Sequence, residues 1–110
     1  MQELKHSPLK KLEIGVQGEQ QDFVLDLLER ASVSGWTVVR NLSGKGSHGA
    51  HDAHLMFNED DVLVMIITAV TEDVAEAILE GLTPFFNRHM GVVFSTDIQV
   101  SRVGKFRPAD

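Results

Sequence analysis

Cysteine is absent from this 110-residue sequence, which excludes a disulfide framework and a thiol nucleophile while assigning no compartment. Positive charge is also scarce: 10 Lys and Arg stand against 16 Asp and Glu, a formal net charge of −6. Such a chain has no basic field with which to displace counterions from phosphates, so general nucleic-acid binding is excluded. Long hydrophobic runs are missing too. The longest, 62–67, is far too short to cross a bilayer, and 1–8 lacks the apolar stretch of a secretion signal. No membrane insertion is expected, and a soluble cytoplasmic protein is the default. No low-complexity tract or linker divides the chain. With 43% apolar residues it reads as one domain over 1–110, able to bury roughly two-thirds of its unfolded surface without metal or disulfide staples.

The most informative segment runs Gly35-Trp36-Thr37-Val38-Val39-Arg40-Asn41-Leu42-Ser43-Gly44-Lys45-Gly46-Ser47-His48-Gly49. A strand leads directly into a loop rich in glycine, with one lysine and one histidine. Glycines allow positive φ and let backbone N–H groups approach a ligand, and lysine adds a point charge suited to phosphate or another small anion. The spacing is not that of a Walker A loop. Anion or nucleotide binding and a plain flexible hairpin loop both remain open at this stage.

Around that segment the pattern is regular. Leu12, Ile14 and Val16 alternate, so 11–17 reads as a half-buried strand. Phe23, Val24, Leu27, Leu28 and Ala31 recur at helical spacing, with Gly35 closing that region. Residues 36–42 form a β-branched second strand, and 62–69 a near-continuous apolar third strand. Thr71 suits an N-cap, with Glu72 and Asp73 where the helix dipole favours anions, and Ala75, Ile78, Leu82 and Leu79 on the buried face. Thr83-Pro84 predicts a new short turn, and Gly91 opens a last strand ending near Val103. The tails 1–8 and 105–110 are expected to be flexible. The order βαββαβ predicts an α+β, ferredoxin-like domain: a four-stranded antiparallel sheet with both helices on one face. Val39, Val64, Ile66 and their neighbours leave apolar residues for both faces, so a homo-oligomer is expected to cover the second.

Several constellations invite chemistry. Val16-Gln17-Gly18 resembles the acylphosphatase loop, on a shared fold, but Asp22 stands where that enzyme needs an anion-holding arginine. A carboxylate repels the anion, and that activity is rejected. His48, His51 and His54 lie three apart with Asp52 among them, and imidazoles at i and i+3 can share a metal; the plainer reading is a solvated loop. Asn58 and Glu59 with Asp60 and Asp61 read as a solvated charge run. No nucleophile–base–orienter set is present, so no enzyme is expected. Asn87-Arg88-His89-Met90-Gly91 offers cationic donors beside a glycine, equally well explained by their place at a helix C-terminus. Arg102 is a third separate cation, of interest once the fold or a neighbouring subunit brings the three together.

Across 10–106 the chain resembles the PII signalling superfamily. The resemblance is carried by Gly35-Trp36-Thr37-Val38, the glycine-marked loop after it, the Asn87–Gly91 connection, and Arg102-Val103-Gly104-Lys105. In that family these correspond to the strand entering the T-loop, the T-loop base, the B-loop and the C-terminal strand end. The family forms trimers that bind adenine nucleotides between subunits, and its T-loop changes shape with ligand and docks on partners. The present sequence departs from the nitrogen-regulatory pattern. Its loop at about 43–60 is shorter, and with no tyrosine it cannot be uridylylated. The Asn87–Gly91 connection is shorter than a usual B-loop, and Val100 stands in place of one of two arginines.

These departures count against ATP with 2-oxoglutarate and are similar to PII-like proteins found beside carboxysome or bicarbonate-transport genes. That resemblance implies a homotrimeric regulator binding ADP or AMP, with bicarbonate as co-ligand. By the same resemblance, Thr37 would meet the adenine through its backbone or hydroxyl, and Gly35 would also be nucleotide-binding. Ser43, Gly44, Lys45, Gly46, Ser47 and His48 would shape the anion end, and Arg88, His89, Gly91, Arg102 and Lys105 would serve phosphate or bicarbonate from adjacent subunits. The implied partner is a protein target such as a bicarbonate transporter or carboxysome component, reached through a T-loop that orders on binding. The competing expectation is a divalent-metal trimer using His48, His51 and His54.

Overall fold

Strict alternation in the first strand decides which side of the sheet is covered. In the computed structural model, whose described residues are 9–42 and 62–101, β1 spans Leu9–Gln17 and buries Leu12, Ile14 and Val16 completely on one face. β3 (Leu63–Thr71) lies antiparallel beside it and sets Val64, Ile66 and Thr68 opposite Val16, Ile14 and Leu12. β2 (Thr37–Leu42) flanks β3, and β4 (Gly91–Ile98) flanks β1, giving the order β2-β3-β1-β4 with antiparallel pairs throughout. This is the ferredoxin-like arrangement expected from the element order. β2 and β4 are therefore its opposite edges.

Two helices cover the buried face. α1 (Gln21–Arg30), entered through a single 3-10 turn at Gly18–Gln20, contributes Val24 and Leu28. α2 (Glu72–Phe86) contributes Ala75, Ile78, Leu82 and Phe85. These side chains join the sheet's inner residues in one core cluster. Fully burying an aliphatic or aromatic side chain is worth roughly 1.5–3 kcal/mol, so this layer carries most of the fold's stability. The other sheet face is only partly covered by the described residues, with Leu9 and Leu63 buried at its two ends. Met65, Ile67 and Ala69 are half-buried there, while Val39 and Phe94 are 38% and 51% exposed.

Three local expectations need correction. Gly35 does not end the first helix. Ser32, at φ 62°, takes the left-handed position, with Ser32 N–H donating to the Glu29 carbonyl and Val33 N–H to that of Leu28. This is a Schellman closure with serine where glycine is commoner, stabilised by packing Val33 on the core that holds Leu28. Thr83-Pro84 does not start a new turn: α2 runs through it to Phe86. Proline costs the helix one backbone bond, but Leu82 and Phe85 face the core on either side, and the Thr83 hydroxyl donates to the Leu79 carbonyl at 2.9 Å. Thr71 does occupy the N-cap as expected, in extended conformation and without a side-chain capping bond. Finally, β4 ends at Ile98, five residues before Val103.

The far end of the sheet is tied by ions. Lys10 Nζ hydrogen-bonds Asp97 and lies 3.9 Å from Glu72, linking β1 to β4 and to the first turn of α2. The Asp97 hydrogen bond holds the Lys10 pKa above the usual lysine value.

Candidate functional site

β3 is longer than β2, and the mismatch makes a groove. The first β2 pair is Thr37↔Ile67, so β3 continues through Thr71 with no β2 partner on that side. Where the two strands part, Gly35, Trp36 and Thr37 stand across from Ile67, Thr68 and Ala69, with Lys11 and Ile98 completing a groove of about 340 Å³. Its chemistry is mixed in a useful way. Ile67, Ala69, Ile98 and Trp36 offer apolar surface to a planar ring, and exposed Thr37 offers a hydroxyl. The stretch of β3 that no described strand pairs on this side presents backbone donors and acceptors to a ligand. Lys11 adds an ammonium, 3.8 Å from the Glu13 carboxylate.

Gly35 is held from behind. The hydroxyl of Thr68, itself 4% exposed, donates to the Gly35 carbonyl at 2.6 Å. Among the described residues, a Cβ placed on Gly35 would meet no atom within 4 Å, so their packing does not require glycine there.

The second set of candidates gathers elsewhere. The N–H groups of Arg88 and His89 both donate to the Phe85 carbonyl, at 3.0 and 2.9 Å, folding the chain tightly after α2. The His89 ring stacks on Phe85 at 4.7 Å, and Phe85 stacks on Phe23 at 4.8 Å. Arg88 and His89 line a cleft of about 310 Å³ with Gln20, Phe23, Gly81, Pro84 and Phe85. Gly91 starts β4 beside them. A Cβ on Gly91 would lie 2.4 Å from the Phe86 ring and 2.8 Å from the Gly15 carbonyl, so the chain's own packing demands glycine at this position.

The expected site residues therefore divide. Gly35 and Thr37 stand together at the β2 edge, whereas Arg88, His89 and Gly91 stand together at the β4 edge. Three interstrand spacings and a three-residue offset along the strands separate Thr37 from Gly91 by about 17 Å. Ser43, Gly44, Lys45, Gly46, Ser47, His48, Arg102 and Lys105 lie outside the described residues, as do the metal candidates His51 and His54. Among the described residues no cluster of three His, Asp or Glu side chains gathers, and no helix is long and apolar enough to cross a membrane. Reading motifs missed the groove's other walls: Lys11, Ile67, Thr68, Ala69 and Ile98. The available signal was strand pairing, since whatever touches Thr37 must also meet its neighbours on β3.

The family described as nitrogen regulatory protein P-II matches residues 9–105. No curated protein matches the chain. Among solved structures, the PII-like protein CPII from Thiomonas intermedia K12, bound to ADP, AMP and bicarbonate, is 59% identical over 96% of this chain and 99% of its own, with a TM-score of 0.78. The same protein bound to ADP, AMP and acetate is 58% identical over 91% of this chain and 95% of its own, with a TM-score of 0.80. The GlnK–ATP complex of B. subtilis shares the fold at 15% identity and a TM-score of 0.63, over 86% of this chain and 84% of its own.

Proposed function

Because this chain belongs to the nitrogen regulatory protein P-II family, we propose that it is a regulatory adenine-nucleotide sensor. It binds ADP or AMP, together with bicarbonate, between the subunits of a homotrimer. The observation that carries this reading is the 59% identity, over nearly the full length of both chains, to a protein solved with those three ligands.

The geometry supports the placement of the base. In this reading an adenine ring lies in the groove where β2 leaves β3, one face against Ile67 and Ala69 and its polar edge toward Thr37. One chain alone cannot complete the site, because Arg88 and His89 lie on the opposite sheet edge. A second copy set beside the first removes that distance, bringing the β4 edge of one to the β2 edge of the other. The partly covered apolar face supplies the driving force for such assembly, since Val39 and Phe94 are exposed and Met65 and Ile67 half-buried on it. Ser43, Gly44, Lys45, Gly46, Ser47 and His48, with Arg102 and Lys105, complete the anion end in this reading. Ligand binding orders the loop that begins after Leu42. That loop signals to a protein partner in inorganic-carbon uptake or fixation.

Isothermal titration of AMP, ADP and ATP, each with and without bicarbonate, tests the proposal on protein of verified oligomeric state. Tighter ADP or AMP binding in bicarbonate is expected, with the reciprocal effect on bicarbonate affinity. Absence of binding by any adenine nucleotide would overturn it.

A further inference from the structure

We propose that Thr68 is a positioning residue for the base groove: its hydroxyl fixes the Gly35 carbonyl and so selects a 6-aminopurine over a 6-oxopurine. This deepens the adenine-nucleotide reading above and rests on it. Thr68 sits opposite Leu12 on the helix-covered side of β3, where the other inward positions, Val64, Ile66 and Val70, are aliphatic. Packing gives no reason for a hydroxyl there, since valine fills the same volume without the cost of burying a polar group. The hydroxyl instead reaches the Gly35 carbonyl, 33 residues away, at 2.6 Å.

Its position explains its use. Gly35 lies two residues before Thr37, the first residue that β2 pairs with β3, so no ladder bond of the sheet orients this stretch. The side chain of Thr68 takes over that task and holds the Gly35–Thr37 backbone across the groove from Ile67 and Ala69. A carbonyl oxygen carries two lone pairs, and the Thr68 bond occupies one. The other accepts the 6-amino N–H of adenine and repels the 6-oxo oxygen of hypoxanthine. Gly35 offers no side chain to obstruct that approach.

The test compares ADP with inosine 5′-diphosphate by calorimetry on wild type, Thr68→Val and Thr68→Ser. Wild type is expected to prefer ADP. Thr68→Val should weaken ADP binding by about three- to tenfold while leaving the inosine nucleotide nearly unchanged, so that the preference collapses. Thr68→Ser should restore it. A merely structural role would lower both affinities together. The inference is overturned if wild type binds ADP but Thr68→Val keeps the wild-type preference, or if serine fails to rescue a preference lost in valine. Wild type that binds neither nucleotide overturns the nucleotide reading itself, and this inference with it. Should Thr68→Val not fold by circular dichroism, Thr68→Ala removes the same hydroxyl and answers the same ratio.

Discussion

The two edges of this sheet each carry a glycine among the candidate ligand residues, and they carry it for opposite reasons. At the β4 edge Gly91 is wedged between the Phe86 ring and the Gly15 carbonyl, and beside it His89 is fixed by stacking on Phe85. Gly91 and His89 are thus accounted for by the chain's own packing, whereas Arg88 is exposed. At the β2 edge none of the described residues stands where a Gly35 Cβ would point, and Thr37 is exposed. Among the described residues, packing gives no reason for a glycine there. An unfilled position beside an unpaired strand edge is thus a sharper pointer to a ligand than a glycine as such.

Four experiments strain that contrast. Phe85→Ala should have the largest effect. The ring is 6% exposed and stacks on both Phe23 and His89, so truncation should cost about 3–5 kcal/mol in chemical denaturation and release His89. Next, Gly91→Ala should cost about 1–3 kcal/mol, because the backbone carbonyl of Gly15 cannot yield as a side chain can. Gly35→Ala is its counterpart: stability within about 0.5 kcal/mol of wild type, but weaker ADP binding. Equal destabilisation by the two alanines would dissolve the comparison.

The third experiment asks whether the edges meet between chains. Thr37→Ala and Arg88→Ala should each weaken nucleotide binding. Trimers refolded from a one-to-one mixture of the two variants should regain full affinity at about a quarter of their sites. If both residues served one chain's site, every chain in the mixture would still carry a lesion and no full-affinity site would appear. The smallest effect belongs to Lys10→Met, which removes an ion pair that includes no packing partner of either glycine. The Lys10 pKa is raised in the folded state, so its contribution is complete below the unfolded value of about 10.4 and is lost as pH rises through the folded one. The difference in Tm between wild type and variant should be small at neutral pH, shrink in high salt, and vanish above that range.

Much of the architecture was legible in the pattern because local periodicity and burial agree. Leu12, Ile14 and Val16 alternate in sequence and are all fully buried, and Val24, Leu28, Ile78 and Leu82 fall on the helix faces their spacing implies. The misreadings came where packing overrode a local preference: Pro84 inside α2, and Ser32 rather than glycine turning the chain after α1. The site was legible only in part. Gly35 and Thr37 stand out in a strand-to-loop motif, but nothing local to that motif reveals Ile67 or Thr68.

Composition and pattern therefore settled the class of molecule: an antiparallel α+β fold without cysteine and with a net negative charge, whose family resemblance lies in short motifs. These follow from the side chains themselves and from period-two and period-three-to-four spacing, which any reader of the chain can count. Which motifs share a surface was decided by strand order. Placing β2 and β4 at opposite edges separated Gly35 and Thr37 from Arg88 and His89, and placing β3 beside β2 supplied the groove its buried threonine. Strand order depends on contacts between residues far apart in the chain, and no local window contains them.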